Sequence, residues 1–89
     1  MASIVAARRF AEDLAGVWSE RIVQDVTRAV QAIATFPRIG SSEIAASISE
    51  EFGEDVMKVV VGPFDLIYEY DEATDTVYLY GLIHGRSAR

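Results

Sequence analysis

Apolar residues recur every three to four positions in the first half of the chain and alternate with polar ones in its last third. From Ala7, the residues Phe10, Leu14, Val17 and Trp18 fall at i, i+4, i+7 and i+8, one face of a helix. Gly16 weakens that helix near its end. Ser19 is placed to cap a second helix, and Glu20 in its first turn suits the helix dipole. Ile22, Val26, Ala29, Val30, Ile33 and Phe36 form the stripe of this second helix, which Pro37 stops. The spacing predicts antiparallel helices of roughly 10 and 17 residues, with Leu14, Trp18, Ile22, Val26 and Ile33 in the core. Ahead of them, Ser3-Ile4-Val5 predicts a short edge strand.

Residues 41–54 carry the weakest pattern. Ile44, Ile48 and Phe52 have helical spacing, Ser42 can cap, and Gly53 would end a short helix. Then the period changes to that of strands. Residues 56–61 are mostly valine and close at Gly62-Pro63, a turn pair. Phe64–Asp71 alternates, with Phe64, Leu66, Tyr68 and Tyr70 on one face and Asp65, Ile67, Glu69 and Asp71 on the other. A polar loop follows, and Thr76–His84 is the last strand, with Val77, Leu79, Gly81 and Ile83 on one face. Short connections make this an antiparallel meander. The expectation is an α+β domain spanning 1–89: a two-helix hairpin packed on one face of a small antiparallel sheet. The chain shows no repeat and no linker.

Composition narrows the chemistry. With 51% hydrophobic and 25% charged residues the chain reads as globular. Without cysteine it has no disulfide, thiolate metal site or cysteine nucleophile. One histidine leaves a structural zinc site dependent on carboxylates, so no metal and no cofactor are expected. There is no signal peptide and no run of roughly 20 apolar residues, so a cytoplasmic, membrane-free protein is expected. The net charge of −6 disfavours a chain that binds nucleic acid on its own. Five acids and no base lie between Glu43 and Asp55.

Candidate chemistry is sparse. Asp65, Glu69, Asp71, Glu72 and Asp75 read as a solvated face and loop, since strand alternation already places the first three on the more polar side. His84-Gly85-Arg86 puts a proton-transfer group beside a guanidinium that can grip a phosphate or carboxylate. Lys58, a lone base among valines, either blunts a strand edge or walls an anion site. Phe64, Tyr68, Tyr70, Tyr78 and Tyr80 are core and cross-strand rings in the first instance, because interleaved acids do not suit a base-stacking platform. Tyr78 and Tyr80 lie opposite Val77 and Leu79, covering the back of the sheet or meeting a partner.

Four stretches together carry a resemblance. They are Phe36-Pro37-Arg38-Ile39-Gly40, Lys58-Val59-Val60-Val61, Phe64-Asp65-Leu66-Ile67-Tyr68-Glu69-Tyr70 and Gly81-Leu82-Ile83-His84-Gly85-Arg86. In this order and spacing, over nearly the whole chain, they resemble the RelE/ParE superfamily of type II toxin–antitoxin toxins. The resemblance implies an addiction-module toxin of the kind that stabilises plasmids, wrapped and neutralised by a cognate antitoxin. Its RelE-like branch cleaves mRNA on the ribosome; its ParE-like branch lacks the nuclease set and inhibits DNA gyrase. If this chain were a nuclease, the family positions would make Arg86, Lys58 and His84 its catalytic residues. Nuclease members carry a base right after the aromatic that opens the second meander strand. Here that residue is Asp65, whose charge repels a scissile phosphate. The chain also lacks a tyrosine beyond Arg86, and its acidity departs from both branches. Asp65 and the missing tyrosine favour a ParE-like toxin acting on gyrase, whereas the acidity favours neither branch. A ribosome-dependent mRNA endonuclease and a non-toxic, partner-binding relative are the alternatives.

Overall fold

The computed structural model describes residues 1–85. The elements in chain order are β1 (Ser3–Ala6), α1 (Arg8–Ala15), α2 (Glu20–Thr35), α3 (Ala46–Phe52), β2 (Met57–Val61), β3 (Phe64–Asp71) and β4 (Thr76–His84). The strands form one sheet in the order β1-β4-β3-β2. The meander is antiparallel as expected, turning at Gly62 with a φ of 59°. The N-terminal strand is present but runs parallel to β4, so the sheet is mixed rather than wholly antiparallel.

Helix α2 starts and stops where the sequence places it. The Ser19 hydroxyl accepts the Ile22 N–H at 3.3 Å, and the helix ends before Pro37. Val26 and Ile33 are fully buried on the sheet, while Leu14, Ile22 and Val30 pack partly buried around them. The first helix is shorter than its apolar spacing predicts. It ends at Ala15, so Val17 and Trp18 no longer follow the helical period. Val17 still packs against the core, but Trp18 points into solvent and is 97% exposed. Phe36 likewise drops out of the α2 stripe, because it caps the helix with a non-helical backbone.

In β4 the alternation breaks at Tyr80. Ile67 pairs with Gly81 and Tyr68 with Leu79, leaving Tyr80 without a partner across the pair. One extra residue in a strand reverses the facing of everything after it. Val77 and Leu79 therefore share the core with Leu82, not with Gly81 and Ile83 as strict alternation predicts. β1 makes its last pairing with Leu79, one residue before the bulge. Beyond that point the Leu82 N–H donates to the Asp13 carboxylate of α1 at 3.0 Å. A side chain thus satisfies an edge group that strand pairing leaves.

The sheet is covered on both faces. α1 and α2 cover one face, over Leu66, Tyr68, Val77, Leu79 and Leu82. The short helix expected in residues 41–54 forms as α3 and closes the other face with Ile48, Val56 and Ile67. Each such side chain, fully buried, contributes about 1.5–3 kcal/mol. Asp65 lies on this second face and is only 6% exposed, so it does not belong to a solvated surface.

Candidate functional site

Two regions gather the residues that the sequence singles out. The first is the sheet face under α3. Lys58 stands on β2 opposite Ile67, and its N–H and carbonyl both pair with Ser41 at 2.9 Å. Ser41 thereby covers the edge of β2 at the lysine, whereas the neighbouring Val60 is 68% exposed. Asp65 lies between Val60 and Ile83 in the next row of the same face. The end of β4 folds toward it: the Gly85 N–H donates to the Pro63 carbonyl at 2.8 Å. A Cβ on Gly85 would lie 3.8 and 4.0 Å from the two Asp65 carboxylate oxygens.

His84 belongs to the opposite face. It pairs with Phe64, whose ring it meets edge-on at 5.8 Å. Lys58 and His84 are thus separated both by β3 and by the thickness of the sheet. Arg86 lies outside the described residues. Of the three candidate catalytic residues, the fold therefore does not bring the two described ones together. Among the described residues no group of three or more histidine, aspartate and glutamate side chains is placed to hold a metal ion. No described helix is long and apolar enough to cross a membrane.

Sequence reasoning does not anticipate how this face is closed. Phe52 of α3 stacks on Tyr80 at 6.3 Å, and it fits because Gly81 beneath it has no side chain. The Arg9 guanidinium lies 4.9 Å from the centre of the Phe52 ring and is paired with Glu51 and Asp13. One arginine on α1 thereby holds α3 through both charge and aromatic contact. Burial first, then the Glu69 carboxylate, holds the Tyr80 phenol above its ordinary pKa. The pairing of Arg9 with Glu51 is long-range and leaves no signal in local spacing.

The second region is the end of α2. Its floor is fixed by Tyr68, a fully buried ring whose hydroxyl donates to the Pro37 carbonyl at 2.9 Å and accepts the Gly40 N–H at 2.8 Å. Burial pushes this phenol above its ordinary pKa, against the opposing effect of the Gly40 hydrogen bond. Position 40 requires glycine, since a Cβ there would lie 2.6 Å from the hydroxyl. The Phe36–Gly40 stretch noted in the sequence is therefore an anchored turn. Above it Phe36 and Ile39 are exposed by 66% and 53% beside the Tyr70 ring, around an open groove of about 690 Å³. Tyr70 donates to Asp75 at 2.7 Å, which is the first cause of its raised pKa. Arg38 lies over the Tyr70 ring at 5.3 Å and bonds Glu72 at 2.8 Å.

With this geometry in view, comparison with known proteins decides the family. The family described as the ParE toxin of the type II toxin–antitoxin system parDE matches residues 4–89. The chain belongs to the ParE toxin family. It is a toxin of a type II toxin–antitoxin system. Its fold is shared with solved structures of low sequence identity. A chain of the intact E. coli RelBE toxin–antitoxin complex superposes with a TM-score of 0.73 at 10% identity, covering 96% of this chain and 98% of that one. A chain of the RelBE2 toxin–antitoxin complex of Mycobacterium tuberculosis gives 0.73 at 19% identity, covering 93% and 96%. The isolated E. coli RelE toxin gives 0.73 at 10% identity, covering 94% and 84%. Comparison with curated protein sequences gives no match. At these identities the ParE-family chain shares the RelE backbone, and its site must be read from its own side chains.

Proposed function

We propose that this ParE-family toxin acts in the cytoplasm by docking on a protein target, DNA gyrase, without cleaving RNA, and that a cognate antitoxin neutralises it. The observation that carries the reading is Asp65. A carboxylate buried to 6% exposure occupies the sheet face where a nuclease of this fold needs positive charge on the scissile phosphate. Among the described residues, Val60, Ile67 and Ile83 lie beside Asp65 on that face, α3 closes over Ile67, and Lys58 stands opposite Ile67. Lys58 and His84 stand on opposite faces and do not cooperate on one phosphate.

Two assays on the purified protein test this. Toeprinting of translating ribosomes is expected to show no new mRNA ends, and a supercoiling assay is expected to show inhibited gyrase. New mRNA ends at the ribosomal A site would overturn the proposal in favour of the endonuclease. In that case Arg86→Ala would lower the cleavage rate on the order of 10²–10³-fold. Silence in both assays would point to a relative that binds its partner but is not toxic.

A further inference from the structure

The groove at the end of α2 does not stand alone. Beside it lies a second depression of about 420 Å³, and the two share Arg38 and Tyr70. Their linings differ. The first is mostly apolar, with Phe36, Pro37 and Ile39 around Tyr70 and, among the described residues, only Arg38 and Glu72 charged. The second brings in Glu54, Asp55 and Glu69. Together they form one track, apolar at one end and acidic at the other, carrying four carboxylates and, among the described residues, the single base Arg38.

That base is already engaged, since Glu72 holds its guanidinium at 2.8 Å and the Tyr70 ring lies beneath it. Tyr70 in turn is held by Asp75, and the turn under Phe36 is anchored by Tyr68. The floor is therefore ordered before anything binds, which lowers the entropic cost of docking. Phe36 and Ile39 contribute little to folding at their exposures, yet both line the same open groove. Neighbouring exposed apolar side chains on an ordered surface mark a contact site.

We propose that this continuous track is where the antitoxin docks, through a segment that sets an apolar side chain against Phe36 and Ile39 and carries lysine or arginine onto Glu54, Asp55 and Glu69. The inference rests on the toxin reading above and adds the place and the chemistry of the partner. Charge selects the occupant: a chain of net charge −6 with an acidic track attracts a basic segment and repels a second copy of itself.

The test uses the full chain and the product of the adjacent reading frame, with affinity read by calorimetry. Wild type is expected to bind. Phe36→Ser and Ile39→Ser are expected to weaken binding by about 30-fold or more while keeping the thermal midpoint, because both side chains are exposed. The double substitution Glu54→Lys and Asp55→Lys is expected to weaken binding and flatten its dependence on salt. Trp18→Ser, at the far end of α2, is expected to bind as wild type does. If the adjacent product binds every variant with wild-type affinity, the docking site is wrong and the toxin reading stands. If the lysine variants bind more tightly, the partner is acidic and the proposed charge pairing is wrong. Failure of wild type to bind overturns the assignment of the partner itself. A wild-type dimer that Phe36→Ser converts to monomer would put a second copy in the groove and overturn the proposal.

Discussion

Among the described residues ten buried side chains make up the cluster between the sheet and α1 and α2, but only three the cluster between the sheet and α3. The first face is closed by a 16-residue helix with a hydroxyl cap, whose stripe meets alternating strand residues. The second is closed by a seven-residue helix with no side-chain cap, too short to be stable alone in water. α3 exists because Ile48 and Phe52 find Ile67, Tyr80 and the gap at Gly81, and because Arg9 reaches Glu51 from another element. One cover is made by regular packing, the other by a few long-range contacts. Such differences set which part of a domain opens first.

The largest effect is expected at the larger cluster. Ile33 has no exposed surface, so Ile33→Ala should destabilise the domain by about 3–5 kcal/mol, read as a lowered denaturant midpoint with an unchanged slope. Ile48→Ala, on the thinner cover, is expected to cost about 2 kcal/mol, because a seven-residue helix can settle into the space left behind. A loss at Ile48 equal to that at Ile33 would mean that α3 does not settle into the space left behind.

Tyr68→Phe removes the hydroxyl from the Pro37 carbonyl and the Gly40 N–H and should cost about 1–3 kcal/mol. It also carries a pH signature. The folded state holds the Tyr68 proton more tightly than the unfolded chain, whose reference value is 10.0. This contribution is fully present below pH 10, and it is lost as pH rises from there through the folded value. Stability should therefore fall more steeply with pH above that point in wild type than in Tyr68→Phe.

The smallest global effect is expected at Arg9. Its ion pairs are partly exposed, so Arg9→Ala should change overall stability by less than about 1 kcal/mol. Amide exchange across residues 46–52 should quicken while α2 keeps its protection. Uniform protection in both helices would show that α3 does not depend on this contact.

The two faces were also unequally legible in the sequence. The Val26 and Ile33 stripe, the cap at Ser19, the stop at Pro37 and the Leu66–Tyr68 face follow from periods of 3.6 and 2, and they stand in the fold as read. Trp18 carried the right spacing, but the helix ended before reaching it. At the candidate site, local pattern placed Lys58 and Asp65 on adjacent strands. It could not place His84, because the unpaired Tyr80 that turns the end of β4 over is a property of pairing between strands.

Local periodicity and turn chemistry thus determined the elements, their order and the antiparallel meander, because those depend on residues a few positions apart. The parallel docking of β1, the burial of Asp65, the closure by α3 and the union of Arg38, Tyr70 and Glu72 depend on groups distant along the chain. Only tertiary structure decides them, since the free energy of such contacts exists only once the chain has closed the loops that bring them together.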